Sequence, residues 1–588
     1  MNLRKFNKNL KKEYTDTFYQ PKIKKERKFT FKIRYALLCL VVLLVFFLIG
    51  EHIGTQIYNQ RMENRENQLV LETSNGQMNR IQSEKELNAE VRYFTAFSPR
   101  KSILSKIFSM SLIGCGSGNT NSDDFIESPT SPSYDANEAN TQYTTNIQTE
   151  GIDEADTVKC DGTYIYALIG RQLSVYDLNG ACIAQTVLSD AEEMYVYENK
   201  IAVFGNLSLT IFSLENGTLT EEYNQQQGRI MDTRLSENIL YIVVQNKLEK
   251  ANISYENLYY DGCINPYHVY TIIRYDLTEL SEQKVQSINS YSMQLYISQK
   301  HIYLASNNYL ADYSVTYISI FDFELNPVGV VRVCGSILNQ FSMDEYNNTL
   351  RVVSTDTTQP DEKINALSIF DISTLERVGY LNQGIGIDRQ IVKSVRFNGS
   401  TCYVVTYLNQ DPLYEIDCSD VSNPVIVSRY EAPGYSEYLH TFTIDGEEYV
   451  LGLGYTDYRE NKISVYKNGE QTQQIGTDLI LLEYYSSASV WGDKNSSFYQ
   501  INNLYYSMFD NHKALFIHND GDYLYLGLMV GEDQYTVFKI DVKNSSQPIT
   551  VYQEFDNLIT IASETRGLLI ENKFYIPVID KLEIYDWN

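Results

Sequence analysis

The feature that most constrains this chain is a short motif that returns nine times between residues 173 and 587. Its form is apolar-x-apolar-aromatic-Asp-apolar. The copies read LSVYDL (173–178), LTIFSL (209–214), IIRYDL (272–277), ISIFDF (318–323), LSIFDI (367–372), LYEIDC (413–418), ISVYKN (463–468), VFKIDV (537–542) and LEIYDW (582–587). An apolar strand precedes each copy, as in TYIYAL, HIYLAS, CYVVTY and KFYIPV. Successive copies lie 36–74 residues apart. Antiparallel strands repeating at about 40–50 residues are the signature of propeller blades. The spacing therefore predicts an all-β fold, a closed β-propeller of eight or nine four-stranded blades, with insertions at 246–268 and 474–509.

Four hairpin dipeptides support the strand reading: Asp161-Gly162, Asn398-Gly399, Asp445-Gly446 and Asp520-Gly521. Asn-Gly and Asp-Gly suit type I′ turns between right-twisted strands. The last unit ends after its third strand. TQYTTNIQTE (141–150) has strand-like alternation and no Gly or Pro, so it is expected to add the outer strand of the last blade, beside LEIYDW, and to close the ring.

Charge divides the chain. Residues 1–34 hold 12 basic and 3 acidic residues, and 35–50 are uncharged. The rest holds 36 basic and 72 acidic residues, a balance of −36. So acidic a body repels phosphate backbones, which argues against a nucleic-acid partner. The apolar run YALLCLVVLLVFFLIG (35–50) behind a basic tail reads as one transmembrane helix, a signal anchor over 35–57, with 1–34 cytoplasmic and the remainder extracytoplasmic. No small-x-small cleavage site follows it. Residues 58–115 read as a partly helical stalk and 116–140 as a flexible acidic linker without Lys or Arg. The propeller domain is assigned to 141–588. Leu112-Ile-Gly-Cys115 has the form of a lipobox, but it lies too far from the chain start for lipidation of Cys115 to be expected.

Two stretches, TNIQTEGIDEADTVKCDGTYIYAL (145–168) and residues 388–442, resemble a family of secreted or membrane-anchored prokaryotic proteins. That family has a C-terminal β-propeller distantly related to WD-repeat propellers. The resemblance spans the whole predicted propeller and implies its fold and an envelope location. It implies no reaction. Cys160 departs from the small residue more usual there.

Candidate site residues are few. Asp153, Glu154 and Asp156 lie within four residues of one another, a density of carboxylate that suits Ca²⁺. The competing reading pairs them with backbone N–H groups or with Arg and Lys of neighbouring blades. Lys159, Arg396, Asp411, Tyr438 and His440 are ligand-binding candidates, the last three placed at a hairpin tip and a strand start, where scaffolds carry function. Pairing CYVVTY with LYEIDC about Asn409-Gln410 sets Cys402 opposite Cys418, a possible disulfide. The six His form no metal-binding motif, and no G-x-S-x-G occurs. The expected function is a binding or scaffold module for a protein or cell-envelope glycan. The alternative is an envelope hydrolase or lyase with paired carboxylates in an open channel, which such a fold can build from scattered residues.

Overall fold

The computed structural model describes residues 76, 78–85 and 145–587, apart from 227, 248–254, 261–267, 310–313, 358–362, 387–388, 408–410, 433, 457–460, 469–471, 477, 482–510 and 532. The tail, the apolar run at 35–57 and the linker at 116–140 lie outside the described residues. Among the described residues no helix is long and apolar enough to cross a membrane.

Nine sheets follow one another along the chain, and each of the nine repeated motifs supplies the third strand of one of them. They are numbered here as blades 1 to 9. Their first, innermost strands are Val158–Cys160, Glu193–Tyr197, Arg229–Ser236, Gln294–Ile297, Met343–Tyr346, Ile391–Asn398, Tyr435–Ile444, Phe516–Asn519 and Leu568–Ile570. The blades pack face to face through apolar side chains on both sides of each sheet. Separate apolar clusters join blade 1 to 2, 2 to 3 and 3 to 4. Others join 4 to 5, 5 to 6 and 6 to 7, and one joins 7, 8 and 9. Burial on both faces explains why the second and third strands read as nearly continuous apolar runs.

The recurring Asp has a local task. Asp177 Oδ1 accepts from the backbone N–H groups of Asn179 and Ala181 at 2.9 and 2.8 Å. Asp276, Asp371 and Asp541 accept in the same way from the residues that follow them. The carboxylate thus closes the turn into the outer strand, the turn chemistry expected of Asp. Backbone N–H donation, led by Ala181, holds the exposed Asp177 below the usual carboxylate range.

Several expectations are corrected. Only Asp445-Gly446 takes the two positive φ angles of a type I′ turn, 53° and 79°. At Gly162, Gly399 and Gly521 the glycine alone has positive φ and stands first of the two central residues, the type II′ arrangement. In blade 6, Cys402 lies opposite Ile416 and Thr401 opposite Asp417. The loop between the strands is therefore two residues shorter than the one that would pair Cys402 with Cys418. Both cysteines are free and buried in the core between blades 5 and 6. Of the region assigned to the partly helical stalk, residues 76 and 78–85 are described, with Asn79–Arg80 a strand and Glu84–Lys85 helical. The strand pairs with Leu258–Tyr260 and extends blade 3 to six strands. Ile81 is buried beside it and donates its N–H to Leu258 O at 3.1 Å.

Of the expected closing strand 141–150, residues 141–144 lie outside the described residues, and the ring does not close through 145–150. Blade 9 has three strands among the described residues, and no described residue of 145–150 pairs with Lys581–Asp586. Closure is by faces instead. Leu568, Ile570, Tyr575 and Leu582 of blade 9 pack against Val158, Ile165, Ala167 and Tyr176 of blade 1. Tyr575 Oη also donates to Leu178 O at 3.2 Å.

Candidate functional site: a plugged central channel

Residues 145–156 bond to blades 1, 2, 3, 5 and 7 and to the turns leading into blades 8 and 9, which only a segment in the middle of the ring can do. They turn back on themselves at Gly151, whose φ is +78°. A bridge between Thr149 and Ile152 holds the two arms together. The returning arm adds to two inner edges. Asp153 exchanges backbone hydrogen bonds with Leu235 of blade 3 at 2.7 and 3.0 Å, and Asp156 with Met194 of blade 2 at 3.1 and 2.8 Å. The leading arm is held by side chains. Asn146 Nδ2 donates to Tyr438 Oη at 3.0 Å and to His512 O at 3.1 Å, and Gln148 Nε2 reaches the carbonyls of Gln340 and Met343. These polar side chains are why a segment of good strand propensity enters the channel rather than pairing with an outer edge. The plug buries hydrogen-bonding groups, and the channel wall supplies their partners.

The three carboxylates of GIDEAD leave the plug in different directions. Asp153 accepts from Lys159 Nζ at 2.6 Å. Glu154, 3% exposed, accepts from His512 Nε2 at 3.0 Å and Gln148 N at 3.1 Å, with Arg234 Nε 3.9 Å away. Asp156 accepts from Arg566 Nε at 2.9 Å and Thr157 N at 2.8 Å. Among the described residues no three His, Cys, Asp or Glu side chains converge as a metal site. Burial alone would raise the Glu154 carboxyl. Arg234, His512 and Lys513 overcome it and hold the group well below the usual carboxylate range.

Lys159 is equally committed. Its Nζ donates to Thr145 Oγ1, Asp153 Oδ1 and Glu154 O at 2.7, 2.6 and 2.6 Å, and it lies over the Tyr195 ring. Arg234 donates to Asp232, to Thr233 O at 2.7 Å and to Gln340 Oε1 at 2.6 Å. Sequence reasoning missed Arg234, Gln340, His512 and Arg566. Each comes from a different blade or the turn leading into it, and no linear spacing connects them. His512 and His518, six residues apart, are separated: His512 meets Glu154 of the plug, while His518 stacks on Tyr525.

The second group of candidates divides. Arg396 lies mid-strand on the inner strand of blade 6, and Tyr438 and His440 on that of blade 7, all three buried. Tyr438 and His440, expected at a strand start, lie within the strand Tyr435–Ile444. Their rings stack, and Tyr438 Oη lies 3.4 Å from His440 Nδ1. Asp411 does not join them. It opens the third strand of blade 6, two strands out from Arg396. At the tip of the plug, Gln148 and Glu150 share with Lys300, Asp344, Asn347 and Asn398 a polar cleft of about 390 Å³.

A ring of nine antiparallel sheets about a central channel is a β-propeller. The chain belongs to the beta propeller domain family, whose model matches residues 143–588. An uncharacterised protein of Archaeoglobus fulgidus is 24% identical over an alignment covering 76% of this chain and 83% of that protein. An uncharacterised protein of Methanocaldococcus jannaschii is also 24% identical, over 60% and 73%. Among solved structures, Hsv2 of Kluyveromyces lactis is similar at 11% identity and a TM-score of 0.33, covering 54% of this chain and 96% of Hsv2. AztD of Citrobacter koseri is similar at 12% identity and a TM-score of 0.30, covering 74% and 91%.

Proposed function

We propose that the chain is a membrane-anchored, extracytoplasmic binding or scaffold module. On this reading the 35–57 segment holds a rigid acidic propeller outside the membrane, where it engages a protein or a cell-envelope glycan. The observation that carries the binding reading is the plug. Residues 145–156 occupy the channel, and their three carboxylates are each ion-paired there. A hydrolase or lyase built on channel carboxylates needs a pair facing an open cleft at about 5–9.5 Å. The polar cleft beside the plug tip and the turns around it are then the natural contact surface.

The test is affinity capture with the full-length chain from solubilised cell envelope, together with protease digestion of intact cells. A reproducibly enriched partner or glycan, with the propeller reached by protease from outside, is the expected result. Turnover of envelope glycan without stable capture would overturn the binding reading. A propeller protected until lysis would overturn the location.

A further inference from the structure

Two buried arginines lie on neighbouring blades, Arg351 on the second strand of blade 5 and Arg396 on the innermost strand of blade 6, and they are treated differently. Arg351 of blade 5 is 1% exposed. It directs Nε, at 3.0 Å, and Nη2 to the same carboxylate oxygen, Oδ2 of Asp344, and gives Nη1 to Gly399 O at 2.8 Å. Arg396 of blade 6 is 2% exposed. Its Nε and Nη2 are buried and have no hydrogen-bond partner among the described residues, nor does Arg396 form an ion pair with any of them. These two nitrogens lie on the same edge of the guanidinium, the edge that forks onto a carboxylate or phosphate with two parallel hydrogen bonds. In Arg351 that edge is filled. In Arg396 it is empty.

Folded proteins rarely leave such a group unsatisfied, because a buried and unpaired charge is strongly destabilising. Burial lowers the Arg396 pKa to about 9, although Tyr438 and Asp344 act to raise it. The side chain remains a cation at neutral pH. Tyr438 beside it accepts from Asn146 of the plug, and its hydroxyl also lies 3.4 Å from His440 Nδ1, so it would have to turn from that ring to donate to an anion.

We infer that Arg396 anchors an oxyanion site in the channel wall between blades 6 and 7, in which a carboxylate or phosphate bridges Nε and Nη2 with the Tyr438 hydroxyl alongside. Burial restricts the occupant to a small anion or to the terminal group of a longer ligand. The site gives the proposed binding module one ligand chemistry, but it is tested separately. A negative titration beside a successful capture would remove the site and leave the module.

The experiment is thermal unfolding of the full-length chain while chloride is replaced by acetate or by inorganic phosphate at constant ionic strength. Wild type is compared with Arg396→Lys, which keeps the charge and loses the fork, and with Arg396→Met. An anion bound only by the native state raises Tm, here by roughly 3 °C near saturation. That rise is expected in wild type and is expected to vanish in both variants. A response to acetate alone assigns a carboxylate ligand, and a response to phosphate alone a phosphate. An equal rise in wild type and Arg396→Met, or none with either anion, overturns the site. Should Arg396→Met fail to fold, equilibrium dialysis of labelled acetate and labelled phosphate against wild type and Arg396→Lys gives the same decision.

Discussion

Two arcs of the channel wall differ in how they treat buried charge. Along blades 8, 9, 1, 2 and 3, each basic group that faces the plug meets a carboxylate. Lys159 meets Asp153, Arg234 meets Asp232 and Glu154, His512 meets Glu154, Lys513 meets Glu193 and Arg566 meets Asp156. On the arc of blades 6 and 7, Arg396 meets none. The difference follows from where the plug's acids go. Its returning arm pairs with blades 2 and 3, so its three carboxylates are delivered to that side alone. The leading arm, which runs past Tyr438, offers amides and hydroxyls there. One arc is thus a set of ion pairs internal to the fold, and the other holds a buried arginine whose Nε and Nη2 meet no partner among the described residues.

The largest test of this contrast removes the acid at the centre of the first arc. Glu154→Leu leaves Arg234 and His512 facing an apolar side chain. Breaking a buried pair from one side costs about 3–5 kcal/mol, so the urea midpoint is expected to fall accordingly. Arg396→Met in chloride buffer is the matched control. It removes a buried charge whose Nε and Nη2 have no partner among the described residues, and no loss of stability is expected. If both substitutions cost the same, the two arcs are not different in kind.

A somewhat smaller effect is expected at the seam. Asp156 is 2% exposed, and its ion-pair partner is Arg566, from the turn into blade 9. Arg566→Met leaves that carboxylate accepting only from Thr157, and should cost about 3 kcal/mol. Because among the described residues blade 9 is held to blade 1 by faces and no strand is shared between them, hydrogen exchange should show Leu568–Asp586 opening before the other blades. Uniform protection around the ring would show that face packing alone sustains the closure.

The blades were legible in the sequence because each one carries its own punctuation. The Asp that ends a third strand caps the next turn through local bonds, so residues such as Asp177 and Asp276 mark a blade whatever surrounds it. The closure was not legible. Tyr143, Thr145, Ile147 and Thr149 alternate in the sequence as an edge strand should, and what sends residues 145–150 inward is the partners of Asn146 and Gln148, contributed by residues about 190 to 370 positions away. The site was half legible for the same reason. GIDEAD and Lys159 stand out as a cluster. Arg234, His512 and Arg566 do not, because a ring brings together single residues from separate repeats. Register failed at Cys402 because a change of two residues in loop length leaves the inward and outward faces of a strand unchanged, and the hydrophobic pattern cannot detect it.

Acid should weaken the first arc by a smaller and graded amount. The Glu154 carboxyl is held below its ordinary value of 4.5 in the fold. A group whose folded pKa is depressed contributes stability that is complete above the unfolded pKa and declines as pH falls toward the folded one. The decline should therefore begin below about pH 4.5, and Glu154→Leu should flatten that limb of the stability curve. An unchanged acid limb in the variant would assign the loss to other carboxylates.

The smallest expected effect concerns a bound cation at Asp153, Glu154 and Asp156. A Ca²⁺ ion takes 6–8 oxygen ligands and favours carboxylates that converge. Here Lys159, His512 and Arg566 stand where a cation would have to be, and the three carboxylates point apart to reach them. A cation would need to displace at least two of these basic groups and leave them buried without partners. Chelator added to the full-length chain should accordingly move Tm by less than about 1 °C, whereas a ligand held at about 100 times its Kd would contribute roughly 2.7 kcal/mol to stability. A fall of several degrees on chelation, reversed by Ca²⁺ and lost in Asp153→Asn, would mean that the plug holds a cation and that the ion pairs rearrange around it. The contrast between a self-satisfied arc and a receptive one would then have to be drawn again.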